Sequence, residues 1–152
     1  MEEKYNLDII KLELDTLPKY DRQIYLQGNT SDMDPLEPTK GDNYLYVDEN
    51  ELDYDKPLFN IPYVNEIIED HNLIRTRVML MKPRTCYYYH CDNTKRLHIP
   101  VETNENCFLL VDEKLLHLPA DGSVYTIDTT KMHTALNASK EDRIHIVGAF
   151  RV

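Results

Sequence analysis

The run "YYYHCDNTKRLHIP", Tyr87 to Pro100, decides how the rest of the chain is read. Its alternation is that of β-strand, yet three tyrosines, two histidines, an aspartate and an arginine stand where a strand would ordinarily fill a core. On an extended backbone Tyr88, His90 and Asp92 emerge on one face, so an imidazole and a carboxylate can both reach one metal ion. In the following "RLHIPV", Arg96, His98 and Pro100 share one face and Leu97, Ile99 and Val101 the other. The same division recurs in "RIHIVG", with Arg143, His145 and Val147 opposite Ile144 and Ile146. Two arrangements satisfy these patterns. Either the polar faces are solvated, or the apolar faces pack on a second layer while the Arg and His faces line a cavity that holds an anion.

Around these runs the chain from Leu73 onward is mostly strand. "LIRTRVMLMK", "CYYYHCD", "RLHIPVE", "CFLLVD", "KLLHLP", "SVYTIDTT" and "RIHIVGAFRV" are short and rich in β-branched and aromatic residues, with turn-like "DNTK", "ETNEN" and "ADGS" between them. Close spacing of short strands predicts a sandwich, jelly roll or small barrel rather than a helix-alternating parallel sheet. Before Leu73, "PYVNEIIEDHNLI" places Val64, Ile67, Ile68 and His71 at helical spacing behind a first-turn Pro62, which predicts a helix of about three turns. "IIKLEL" (Ile9 to Leu14) and "NYLYVD" (Asn43 to Asp48) read as strands separated by a long polar loop, "GNTSDMDPLEPTKGDN".

Length and charge bound the function. At 152 residues one domain is the expectation, with the β core over about 73–152 and the strands, loop and helix of 1–72 attached to it. The formal charge of −10 argues against nucleic acid and anionic membrane as partners. The acidity is concentrated: residues 1–75 hold 18 acids and 7 Lys or Arg, against 9 and 10 in 76–152. No run of apolar residues is long enough to span a bilayer and no signal-peptide pattern opens the chain, which predicts a soluble, cytoplasmic protein. Cys86, Cys91 and Cys107 are odd in number and lack CxxC spacing, so they read as reduced thiols rather than a disulfide or zinc-thiolate set.

The triplet His90-Cys91-Asp92 is weak alone, because six histidines and 27 acids generate such spacings readily. Context comes from "DTTKMHTALNASKEDRIHIVG", where His133 follows His90 by 43 residues and Arg143 follows His133 by ten. Two histidines and one carboxylate with positions left open form the facial set suited to non-haem Fe(II). An arginine on the next strand can hold the far carboxylate of 2-oxoglutarate while the near end of that cosubstrate chelates the metal.

"HCD", "RLHIPVETNENCFLLV", "YTIDTTKMHTALN" and "DRIHIVG" together resemble the aspartyl/asparaginyl β-hydroxylase-like branch of the Fe(II)/2-oxoglutarate-dependent oxygenases, which includes enzymes resembling bacterial proline hydroxylases. The resemblance covers about Tyr87 to Val147. It implies a mainly β, double-stranded β-helix (jelly-roll, cupin-like) fold with one or two supporting α-helices. It implies His90, Asp92 and His133 as iron ligands and Arg143 on the 5-carboxylate of 2-oxoglutarate, with Arg96 and His98 approaching the cosubstrate's other carboxylate or the substrate. Some vertebrate members lack the acidic ligand; Asp92 fills that position here.

Other residues have plainer readings. Arg143 could instead pair with Glu141 or Asp142 at the surface, and Arg96 and His98 could face solvent. Tyr88 is expected on the metal side with Tyr87 and Tyr89 turned away, and His145 is a further pocket candidate. His71 and His117 read as structural, Cys91 as turned away from the metal, and "DENELDYD" (Asp48 to Asp55) as a solvated loop. The expected activity is hydroxylation of an amino acid, free or in a peptide or protein, using Fe(II), 2-oxoglutarate and O2 and releasing succinate and CO2. The competing expectation is a non-catalytic cupin-like module that holds a metal or small anion. The residues leave the substrate and the oligomeric state open.

Overall fold

A computed structural model describes residues 4–36 and 51–151. Two antiparallel sheets face one another. The larger joins β1 (Gln23–Tyr25), β4 (Leu73–Met81), β11 (Arg143–Phe150), β6 (Arg96–Glu102) and β9 (Tyr125–Ile127) in the order β1-β4-β11-β6-β9. The smaller has the order β5-β10-β7-β8, from β5 (Thr85–Cys86), β10 (His133–Asn137), β7 (Cys107–Val111) and β8 (Lys114–Leu116). Met81 and Ile127 of the first sheet pack with Leu109, Val111 and Ala135 of the second, which closes a jelly roll. A ribbon of β2 (Gln27–Gly28) and β3 (Lys56–Pro57) stands beside it.

The helices α1 (Leu7–Leu14) and α2 (Pro62–Asp70) cover the outer face of the larger sheet. Ile10, Val64, Ile67 and Ile68 from the helices meet Val78, Leu97, Ile99, Val101 and Ile146 from the strands. That outer cluster holds 13 buried apolar residues and the cluster between the sheets six. At about 1.5–3 kcal/mol per buried side chain, most apolar stabilisation lies outside the barrel. The interior is thereby released for polar groups. This is the second of the two arrangements the alternation allowed: Leu97, Ile99 and Ile146 pack outward, while Arg96, His98, Arg143 and His145 are all buried on the other face.

Several elements differ from the pattern reading. Ile9 to Leu14, expected as a strand, lies within α1, because Asn6 caps it by accepting hydrogen bonds from the N–H groups of Asp8 (3.1 Å) and Ile9 (3.3 Å). "CYYYHCD" is not a continuous strand; only Thr85–Cys86 and a bridge at His90 pair with β10. β1 and β10 were not among the expected strands. The helix from Pro62 stops at Asp70, and Asn72 takes a positive φ of 52°. The strand expected at Asn43 to Asp48 lies outside the described residues, as does the part of the preceding loop beyond Leu36.

A bulge in β4 shapes the interior. Arg77 pairs with Val147 and Ile74 with Ala149, so Arg75 and Thr76 stand opposite the single residue Gly148. Arg75 has φ 50°, and a Cβ at Gly148 would lie 2.8 Å from Leu73 Cδ1, so both sides of the bulge are sterically specified. The displaced backbone is satisfied by Gln27, whose Nε2 donates to the Leu73 carbonyl (2.9 Å) and whose Oε1 accepts from the Thr76 N–H (2.9 Å). Gln27→Ala strands two buried backbone groups and is expected to lower the unfolding free energy by about 2–4 kcal/mol, measured as a shift in urea midpoint at unchanged slope.

Candidate metal centre and basic interior

The backbone of His90 and His133 forms a reciprocal pair: His90 N–H donates to the His133 carbonyl (3.0 Å) and His133 N–H to the His90 carbonyl (2.8 Å). Asp92 is fixed in turn by its N–H to the Thr129 carbonyl (2.8 Å). Each imidazole donates its Nδ1–H to a backbone carbonyl, His90 to Tyr88 (2.7 Å) and His133 to Lys131 (2.9 Å). That choice of tautomer leaves both Nε2 lone pairs for the same point in space. Nε2 of His90 lies 3.6 Å from Asp92 Oδ1, and Nε2 of His133 lies 3.2 Å from Asp92 Oδ2. All three ligand atoms fall within 4.8 Å of one another, a group that could hold one metal ion. Burial disfavours charge on Asp92, but the hydrogen bond to His133 and the nearby Arg96 outweigh it and hold the carboxyl below its usual range. Burial likewise opposes charge on His133, yet Asp92 and the Lys131 carbonyl raise its pKa.

Beyond the triad the interior is basic. Arg96 Nε stands 3.6 Å from Asp92 Oδ2, while its Nη1 donates to Thr94 Oγ1 (2.7 Å) and Glu51 Oε1 (2.8 Å). Glu51 also accepts from Arg75 Nη1 (3.1 Å), so one carboxylate serves two guanidiniums. Burial works against the charge on Glu51, but Arg96 and Arg75 prevail and keep its pKa low. His98 and His145 touch through their Nδ1 atoms at 3.0 Å, which requires one ring to donate and the other to accept. Burial, reinforced by Arg143, pushes His98 down to about 3 and His145 well below its ordinary value. Both rings are neutral in the folded protein.

Arg143 is 2% exposed, and its Nε has no hydrogen-bond partner. It forms no ion pair with Glu141 or Asp142; instead it lines a narrow cleft with His145, Cys107, Leu109 and Leu118. Burial lowers its pKa, and the Tyr87 phenol is among the groups facing it. A buried guanidinium without a counter-ion is costly, and among the described residues none supplies one to Arg143.

The structure thus brings together His90, Asp92, His133, Arg96, His98, Arg143 and His145, and alters three expectations. Tyr88 is 58% exposed; its ring stands against that of His90, and it serves the triad through its carbonyl rather than its phenol. Tyr87, expected to turn away, packs against the inner cluster, because the irregular backbone of residues 87–92 breaks strict alternation. Glu51, within a stretch expected to be a solvated loop, reaches the interior. Arg77 was missed as well, although its parity with Met79 and Met81 in "RTRVMLM" marks the same inward face. Cys91 is turned outward against Met132 Sδ (3.1 Å), away from the triad as expected, although no regular strand holds it there. His71 bonds the Tyr5 hydroxyl and His117 the Cys107 carbonyl, both structural roles.

The chain is thus a jelly-roll protein whose two histidines and carboxylate, set beside basic residues, could hold a metal ion. The sequence profile of the aspartyl/asparaginyl β-hydroxylase family matches residues 5–151, and the chain belongs to that family. L-proline cis-4-hydroxylase of Rhizobium meliloti is 29% identical over 98 residues, which is 58% of this chain and 35% of that enzyme; the match spans about a third of the relative's length. Among solved structures, the plu4264 protein of Photorhabdus luminescens has a TM-score of 0.44 at 17% identity, covering 50% of this chain and 61% of its own. A predicted oxalate decarboxylase of Thermotoga maritima has a TM-score of 0.44 at 14% identity, covering 57% and 73%. No helix among the described residues is long and apolar enough to cross a membrane.

The buried histidine pair carries a pH signature. Unfolding returns both rings to a pKa of about 6.5, so below that value the unfolded chain binds more protons and stability falls as pH is lowered. The slope approaches about 1.4 kcal/mol per pH unit per histidine between about 6.5 and the depressed folded values. His133, with its raised pKa, acts in the opposite sense. The pair is therefore isolated by comparing urea midpoints at pH 7 and 5 in the wild type and in His145→Gln, where the loss on acidification is expected to be smaller.

Proposed function

We propose that this protein is a hydroxylase, an Fe(II)- and 2-oxoglutarate-dependent dioxygenase acting on an amino acid, free or within a peptide or protein. The observation that carries the reading is the unpartnered Arg143 guanidinium, buried in the same interior as the His90, Asp92 and His133 triad. The donor set fits the metal: two imidazoles whose Nδ1 atoms are anchored to backbone carbonyls, and a carboxylate whose pKa is held low. The interior fits the cosubstrate, because a dicarboxylate supplies the anion that Arg143 lacks.

In this reading His90, Asp92 and His133 hold the iron, leaving its other positions for cosubstrate and oxygen. Arg143 would bind the 5-carboxylate of 2-oxoglutarate, beside the neutral His98–His145 pair in the same interior. Arg96, next to Asp92, approaches the cosubstrate's other carboxylate or the substrate. Iron, when bound, supplies the oxidation: 2-oxoglutarate loses CO2 to become succinate, one atom of O2 entering succinate and the other a substrate C–H bond as hydroxyl. The chain's own contribution is to orient the two carboxylates and keep water from the interior.

The decisive experiment adds Fe(II) and 2-oxoglutarate without oxygen, seeks the weak visible charge-transfer band of the chelate, then admits oxygen and measures succinate. Absence of both with the fold intact would overturn the reading. A band without succinate in the presence of amino-acid or peptide candidates would favour the metal- and anion-binding module. Asp92→Ala is expected to abolish succinate formation with little change in the far-ultraviolet spectrum. Arg143→Ala is expected to raise the 2-oxoglutarate requirement by about ten- to a hundred-fold, the worth of a charge-assisted pair; an unchanged requirement removes Arg143 from this role.

A further inference from the structure

The contact between His98 and His145 involves neither a metal ligand nor Arg143, and its polarity has a chemical consequence. The two residues are diagonal neighbours on the inward face: Val147 pairs with His98 and His145 with Pro100, beside the point where the register of β11 and β6 shifts between Ile144 and His145. Their rings stand at 86° with centroids 5.3 Å apart, and they meet Nδ1 to Nδ1 at 3.0 Å. Both are buried, at 7% and 3% exposure, and both are neutral, so each ring carries one proton. A proton on both Nδ1 atoms, or on neither, would set like against like at that distance. One Nδ1 therefore donates and the other accepts. The far nitrogens are fixed in the opposite sense: the donor ring has a bare Nε2 and the acceptor ring an Nε2–H.

The charges around each ring decide which one donates. His145 lines the same cleft as Arg143, two residues along the inward face of β11, and Arg143 is foremost among the charges that act on it. Since no described residue neutralises Arg143, an Nε2–H on His145 would stand in a positive field, and an Nε2 lone pair is favoured there. Arg143 acts on His98 as well, but the other arginines facing His98 are met by acids. Arg96 stands between Glu51 (2.8 Å) and Asp92 (3.6 Å), and Glu51 also acts on Arg77. His133 is among the groups that act on His98, whereas His117 acts on His145, so His98 is the ring on the side of the triad.

Resting on the dioxygenase reading above, we propose that His145 is a positioning residue: its Nδ1–H donates to His98 Nδ1 and holds His98 in the tautomer whose Nε2–H is offered to a carboxylate of the bound cosubstrate. His145 acts on that carboxylate through His98. The opposite tautomer would present a lone pair to an incoming anion, so one hydrogen bond would be lost and a repulsion added. A donor already set in the folded chain spares cosubstrate binding the cost of selecting it.

The test is long-range proton–nitrogen correlation NMR of the intact chain labelled at its histidine nitrogens, alone and with 2-oxoglutarate and Zn(II), a diamagnetic stand-in for iron. His98 is expected to be protonated at Nε2 and His145 at Nδ1 in both samples. In His145→Phe, which keeps a ring and loses the donor, His98 is expected to populate both tautomers. The dissociation constant of 2-oxoglutarate, measured calorimetrically with Fe(II) under argon, is expected to rise about ten-fold in that variant, the worth of one hydrogen bond to a charged group, with Zn(II) affinity unchanged. His145→Asn, whose amide N–H takes the place of Nδ1–H, is expected to restore the single tautomer and most of the affinity. The assignment is overturned by the opposite tautomers in the wild type, by an unchanged His98 tautomer in folded His145→Phe, by equal losses in His145→Phe and His145→Asn, or by a matching loss of Zn(II) affinity. Should His145→Phe not fold, the wild-type spectra and His145→Asn decide it. Failure of 2-oxoglutarate to bind the wild type would instead overturn the dioxygenase reading, and the spectra of the unloaded chain would still show which ring donates.

Discussion

Two backbone hydrogen bonds between His90 and His133 hold the candidate centre together. They join the irregular stretch after β5 to the start of β10, so residues 43 apart in sequence meet as neighbours. Without that bridge the backbone between the Tyr87 N–H, which donates to the Ala135 carbonyl, and the Asp92 N–H, which donates to that of Thr129, would be untied, and the aim of His90 would be lost to conformational entropy. With it, the carbonyls of Tyr88 and Lys131, each two residues before a histidine, fall within reach of the Nδ1 protons and select the tautomer. The sheet thus sets ring chemistry as well as position.

The distribution of polar groups follows from where the apolar surface goes. In a jelly roll the space between the sheets is the obvious core, yet here the larger apolar cluster lies between the big sheet and the two helices. That displaced core lets the fold tolerate buried Arg96, His98, Arg143 and His145, each of which costs stability if left alone. Local rules of burial are broken where several inward faces converge, the pattern expected of a site whose stability is sacrificed for binding. The bulge at Arg75 and Thr76, clamped by Gln27, belongs to the same pattern, since a positive φ at a non-glycine residue persists only where its surroundings impose it.

Much of this was legible in the chain. The inward and outward faces of "RLHIPV" and "RIHIVG" are set by a period of two, and β6 and β11 are long enough for that period to hold throughout. Where the backbone is irregular the period fails, which is why Tyr87 and Tyr88 exchange their expected sides. The segment from Ile9 to Leu14 is too short for alternation to separate strand from helix, and the capping side chain of Asn6 carried the missing information. Glu51 was beyond sequence reasoning, because no local pattern shows that a carboxylate in a polar stretch will meet arginines 24 and 45 residues away.

Glu51 comes from a short turn of 3-10 helix that belongs to neither large sheet, whereas the triad and Arg143 come from the strands of the barrel and the segment bridged to it. The candidate metal ligands and the carboxylate that tunes the charge on Arg96 beside them are therefore encoded in separate stretches of chain. Drift in the acidic N-terminal half can alter the charge beside the candidate metal centre while its three ligands remain intact. Such a division makes the scaffold evolvable: selectivity is exposed to variation and reactivity is sheltered from it.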